Sequence, residues 1–142
     1  MKDESIKHLE FIQSNISRMG QNSFRVKGWS ITIVAALLAL YAASMGGNSA
    51  GNTWFIFVAI LPTIIFWFLD SYYLQQERKF RGIYDDVANL TDKIDVKPFE
   101  MPLHKYIKGK YSFLKVAFSR TIFPLYLPII VGLAIFGFIL KC

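Results

Sequence analysis

Charged residues and cysteine are scarce in this chain of 142 residues. Asp, Glu, Lys and Arg together make up 18% of the sequence, whereas hydrophobic residues make up 54%. This balance excludes a disordered chain and is rare in a soluble domain. The single cysteine, Cys142, excludes an intramolecular disulfide and a cysteine-built metal site.

Residues that commonly carry catalysis are also few. The only histidines are His8 and His104, and neither stands near other ligands at metal-binding spacing. The chain has no Gly-x-Ser-x-Gly, no phosphate-binding glycine loop and no His-Glu-x-x-His motif. Asp85 and Asp86 are adjacent, so they point to different faces of a helix and do not form an acid/base pair. We therefore expect no enzyme, no metal and no cofactor.

Three long apolar runs indicate an integral membrane protein. They cover residues 28–47, 53–74 and 121–140. Twenty helical residues span about 30 Å, the thickness of the hydrocarbon core. We predict an all-α membrane protein with three transmembrane helices, forming a single membrane domain over residues 1–142.

The basic residues predict how the chain is threaded. Of the 16 Lys and Arg residues, 15 lie in residues 1–27 and 75–120. By the positive-inside rule these two segments are cytoplasmic, and the C-terminus lies outside. We expect a multi-pass protein of the bacterial inner membrane. Because topology accounts for the net charge of +6, the charge is no evidence for a nucleic-acid partner, and we expect none.

Two of the spans are expected to continue as cytoplasmic helices. Residues 3–27 form an amphipathic helix, and a second helix runs from about Thr53 to about Leu90 with a kink at Pro62. Between residues 91 and 110, prolines and glycine favour a loop, and the chain resumes a helix near Tyr111. The apolar stripes of the two helices can cover each other; they comprise Leu9, Ile12, Ile16, Met19, Ser23 and Val26, and Phe80, Ile83, Val87 and Leu90.

Small residues recur every four positions in the first span, at Ala35, Ala39, Ala43 and Gly47. Such a ladder lets two helix backbones approach closely. It predicts either contact with the second span of the same chain or association between copies.

Asp70 is the one carboxylate within the apolar runs. A charge there is costly unless it is paired. Counting along the second span places it near the inner boundary, where Lys27 and Tyr126 are the candidate partners. We expect either a buried structural pair or a gate residue.

A basic segment precedes the third span. Residues 104–115 interleave lysines with aromatic residues, a pattern that suits anionic lipid headgroups and also a nucleotide or RNA. We favour membrane lipid. The lysines are Lys105, Lys108, Lys110 and Lys115.

Three stretches carry a resemblance to known proteins. The opening KHLEFIQSNISRMGQNSFRVKGWSITIVAALLAL, the stretch FWFLDSYYLQQERKFRGIYDDV and the later KPFEMP are similar to a widespread group of small uncharacterised bacterial membrane proteins. By architecture alone, the chain also resembles small transmembrane effectors of anti-phage defence systems, which permeabilise the membrane.

Two functions fit these observations. The first is an oligomeric inner-membrane effector or channel-like subunit, since three helices of one copy cannot enclose a pathway; a cytoplasmic sensor protein is its candidate trigger. The second is a membrane anchor or scaffold that recruits a cytoplasmic partner through the helices of residues 3–26 and 73–90.

Overall fold

The computed structural model describes residues 2–47, 50–91 and 94–142. Three long helices account for most of it: α1 (Asp3–Ala43), α2 (Trp54–Val87) and α4 (Phe123–Lys141). A short helix, α3 (Phe113–Ala117), follows two 3-10 turns at Leu103–Lys105 and Gly109–Tyr111. Helices α1, α2 and α4 are each long and apolar enough to cross a membrane. The prediction of an all-helical protein with three candidate membrane spans is thus confirmed over the described ranges.

Helix α1 begins at an acidic first turn, Asp3 and Glu4, which complements the positive end of the helix dipole. It ends at Ala43, four residues before the end of the predicted first span. The Ser44 hydroxyl donates to the Tyr41 carbonyl at 2.6 Å and accepts the Asn52 amide at 2.7 Å. These bonds replace the next helical turn, so Gly47, with φ +60°, lies in the connection and not on the helix.

Helix α2 continues through Pro62 and ends at Val87. Its end is a turn in which Asn89 adopts φ +56° and the Leu90 amide donates to the Asp85 carbonyl at 2.8 Å. Asparagine tolerates this left-handed conformation better than most residues. Leu90, predicted to extend the apolar stripe, is therefore outside the helix and is 69% exposed.

The chain divides into two compact units. We call Met1–Phe24 with Ser71–Val116 the loop-covered unit, and Arg25–Asp70 with Ala117–Cys142 the apolar unit. Each contains a part of α1 and a part of α2.

The core of the loop-covered unit contains residues of both predicted stripes. Ile12 and Ile16 of α1 pack with Phe80 and Ile83 of α2, and Tyr106 of the loop completes the cluster. The loop can approach closely because position 82 of α2 is glycine, where a Cβ would lie 2.9 Å from the Tyr106 ring. Partly buried residues around the cluster are Met19, Tyr84, Val87, Ile94, Val96, Met101, Leu103 and Tyr111.

The core of the apolar unit joins α1, α2 and α4. Val34 and Tyr41 of α1 pack with Ile56 and Ala59 of α2 and with Leu133 of α4. Many large hydrophobic side chains of this unit are exposed, as expected for helices that are apolar enough to cross a membrane.

Candidate functional site: a buried ion pair in the apolar unit

Asp70 forms an ion pair with Lys27. The Lys27 Nζ lies 2.6 Å from the Asp70 Oδ2, and the Asp70 side chain is fully buried while that of Lys27 is 21% exposed. A charge-assisted contact of this length is among the stronger polar interactions in proteins. The pair links α1 to α2 on the side where α4 also packs.

Tyr126 of α4 belongs to the same group of residues. It is fully buried, and its side chain lies near the Asp70 carboxylate. The Trp67 ring stacks on Tyr126, with 6.4 Å between the ring centroids and 3° between the planes. The Trp67 indole N–H donates to the Ala117 carbonyl at 3.0 Å. Side chains from all three long helices of the apolar unit therefore meet around one carboxylate.

The group suits a structural role in this conformation. Asp70 is the only acidic residue in the sequence of the apolar unit, and its carboxylate is already neutralised by Lys27. A divalent cation needs several oxygen ligands, which a single paired carboxylate does not supply. A role for Asp70 in a gate would require the pair with Lys27 to open.

The small residues of the first span lie on the opposite side of α1. Ala35, Ala39 and Ala43 are all exposed, whereas Val34 and Tyr41 form the buried contact. At 100° per residue, the centres of these two sets are about 150° apart on the helix. Contact of the ladder with the second span of the same chain is thus not the arrangement found, and association between copies stays a prediction.

Among the described residues, three of the four lysines of the basic segment have no ion-pair partner. Lys105 lies 3.8 Å from Glu100. Lys108, Lys110 and Lys115 are exposed, and none forms an ion pair within the described part of the chain.

Two buried polar residues were not identified from the sequence as structural. His8 is 1% exposed, and its Nε2 lies 3.1 Å from the Glu100 carbonyl oxygen. Asp86 is also buried and accepts hydrogen bonds from the Tyr106 hydroxyl at 2.5 Å and the Thr91 hydroxyl at 2.6 Å. Helical periodicity could have predicted their burial, because His8 and Asp86 lie on the same helix faces as Ile12 and Ile83 of the apolar stripes.

Burial, together with the hydrogen bond to Asp86, raises the pKa of Tyr106 well above its usual range. The phenol therefore remains a hydrogen-bond donor at any physiological pH. A polar cavity of about 350 Å³ adjoins this network, lined in part by His8, Asp86, Asn89, Thr91 and Asp95.

No protein-family model, curated protein or solved structure matches the chain. The resemblance to the group of small bacterial membrane proteins therefore stays a prediction.

Proposed function

We propose that the chain is a subunit of an oligomeric effector or channel in the bacterial inner membrane. The observation that supports this most directly is the exposed small-residue face of α1, formed by Ala35, Ala39 and Ala43. Lipid chains are as apolar as the helices, so helices associate in a membrane where small side chains allow close backbone contact. A ring of copies joined by such faces can enclose a pathway that three helices cannot.

The substitution Ala39→Leu tests the assembly. A leucine forces the two backbones apart, so we expect the oligomer to dissociate at least about tenfold more readily in mild detergent. Thermal unfolding of the protomer should change little, because Ala39 is exposed and is not part of the core around Val34 and Tyr41. Mass photometry and melting of the purified chain measure the two effects.

The matched control is Gly132→Leu on α4, where an added Cβ meets nothing within 4 Å. It places the same side chain on another exposed helix surface, and we expect normal assembly. An oligomer that survives Ala39→Leu, or one that Gly132→Leu disrupts equally, would contradict the role assigned to the α1 face.

Dye release from lipid vesicles containing the purified protein tests the activity itself. The wild type should release the dye, and Ala39→Leu should not. Vesicles that stay sealed, combined with stable co-purification of a cytoplasmic protein from cells, would favour the membrane anchor instead.

Orientation has its own test. With the N-terminus inside and three spans, a reporter fused after Cys142 should be active only in the periplasm. A reporter inserted near Lys97, which is exposed in the loop, should be active only in the cytoplasm. A cytoplasmic C-terminus would refute the three-span topology.

A further inference from the structure

Two hydrogen bonds fix the basic segment against the start of the polar part of α2. The Gln75 Nε2 donates to the Tyr111 carbonyl at 2.8 Å, and an Arg78 N–H donates to the Lys110 carbonyl at 3.2 Å. Gln75 is the residue that follows the apolar run ending at Leu74. Helical residues at this point of a span reach the headgroup layer, which extends several ångströms beyond the hydrocarbon.

The same segment exposes apolar and cationic side chains side by side. Ile107 is 60% and Leu114 is 68% exposed. Each directly precedes an exposed lysine, Lys108 or Lys115, and Lys110 is exposed between them. Apolar groups that enter the acyl boundary beside ammonium groups at the phosphates are the pattern of an interfacial segment.

None of the described aromatic residues of the segment is fully exposed for stacking on bases, since Tyr106 is buried and Tyr111 and Phe113 are partly buried. Tyr106 is 4% exposed, and its ring meets Tyr111 edge-on with 5.4 Å between the centroids. The Tyr106 hydroxyl is bonded to Asp86. Binding of single-stranded RNA depends on exposed aromatic faces, so the structure favours a lipid over a nucleic acid.

We propose that Lys108, Lys110 and Lys115, flanked by Ile107 and Leu114, form a binding surface for the phosphate headgroups of anionic phospholipid. The surface is independent of the oligomer proposed above, since it uses none of the α1 residues. Each lysine near such headgroups strengthens binding several-fold.

Native mass spectrometry of the full-length protein in detergent provides the test, with phosphatidylglycerol and phosphatidylcholine of identical acyl chains as probes. We expect phosphatidylglycerol to bind at least about tenfold more tightly than phosphatidylcholine. The triple variant Lys108→Gln, Lys110→Gln, Lys115→Gln should reduce this preference to about twofold or less. Should the triple variant not fold, Lys108→Gln alone should weaken phosphatidylglycerol binding about threefold to fivefold.

The matched control removes the same number of charges from exposed positions on α1 or directly before it: Lys2→Gln, Lys7→Gln and Arg18→Gln. It should keep the full preference for phosphatidylglycerol. Equal loss in the control, or no preference in the wild type, would overturn the proposal.

Two further experiments test whether the surface binds a lipid headgroup, a free phosphate ion or a nucleic acid. Displacement of phosphatidylglycerol by millimolar inorganic phosphate would mean a site for a free anion, and lysine-dependent binding of a 12-nucleotide RNA would mean a nucleic-acid surface. Either result would overturn the assignment to lipid.

Discussion

The two units of the chain are almost equal in length but differ in what they leave exposed. Among the described residues, 18 large hydrophobic side chains of the apolar unit are exposed, compared with eight of the loop-covered unit. Lipid solvates apolar side chains, so a protein surface that faces lipid can leave them exposed. The difference indicates that the apolar unit is adapted to lipid and that the loop-covered unit needs its loop to complete a core.

The units also differ in how they satisfy buried polar groups. In the loop-covered unit, His8 meets the backbone carbonyl of Glu100, and Asp86 accepts bonds from two hydroxyls. Loops offer free carbonyls and polar side chains for this purpose. In the apolar unit most backbone groups are bonded within helices, so Asp70 depends on other side chains, chiefly Lys27. Its network should therefore be the less tolerant of substitution.

The largest effect is expected for Asp70→Ala. It leaves the Lys27 ammonium without its buried partner, and we expect a loss of about 1 to 3 kcal/mol in the free energy of unfolding. Thermal unfolding followed by helical circular dichroism in mild detergent measures it. Asp95→Ala, which removes an exposed acid of the loop-covered unit, serves as the control and should change stability by less than about 0.5 kcal/mol.

A companion variant, Asp70→Asn, separates structure from charge. The amide can still accept a hydrogen bond from Lys27, so most of the stability should remain. If this variant folds but no longer releases dye from vesicles, the charge itself acts in conduction or gating. If Asp70→Ala and Asp70→Asn are both as stable and active as the wild type, Asp70 marks only the boundary of the span.

A smaller effect is expected for Tyr106→Phe in the loop-covered unit. It removes one of the two hydroxyls that donate to Asp86, at a cost of about 1 to 2 kcal/mol. Limited proteolysis of residues 91–112 should become faster, while the apolar helices stay protected. Cleavage at the wild-type rate would show that the hydroxyl does not hold the loop.

The same variant has a pH signature. Because the pKa of Tyr106 is raised on folding, its contribution is fully present below the unfolded pKa of about 10 and is lost as the pH rises towards the folded value. The stability difference between the wild type and Tyr106→Phe should be constant from pH 7 to 9 and shrink above pH 10. A difference that already declines between pH 7 and 9 would contradict this assignment.

Helical periodicity and uninterrupted apolar length predicted much of the fold. The stripe residues Ile12, Ile16, Phe80 and Ile83 are buried as expected, because a period of 3.6 residues determines which side of a helix meets its neighbour. The partners of Asp70 were also within reach of sequence reasoning, since depth along a span can be counted at 1.5 Å per residue.

Contacts made by the loop could not be predicted in the same way. The pairs His8 with Glu100 and Asp86 with Tyr106 join residues 92 and 20 positions apart, and no local pattern determines how an irregular segment folds back. Phe99 even adopts φ +62°, a conformation that a bulky side chain rarely favours. The sequence also did not determine which face of α1 packs against the rest of the chain. The face with Val34 and Tyr41 was as plausible as the face with the small residues.

The smallest effect is expected at a close contact between α2 and α4. Gly137 of α4 is buried, and a Cβ there would lie 2.8 Å from the Phe57 ring of α2. Gly137→Ala should cost about 1 kcal/mol in melting experiments, since the clash outweighs the better helix propensity of alanine. Gly132→Ala, on the same helix with open space around it, should be neutral or slightly stabilising. If Gly137→Ala melts like Gly132→Ala, the Phe57 ring can move aside, and close packing between α2 and α4 does not limit the stability of the apolar unit.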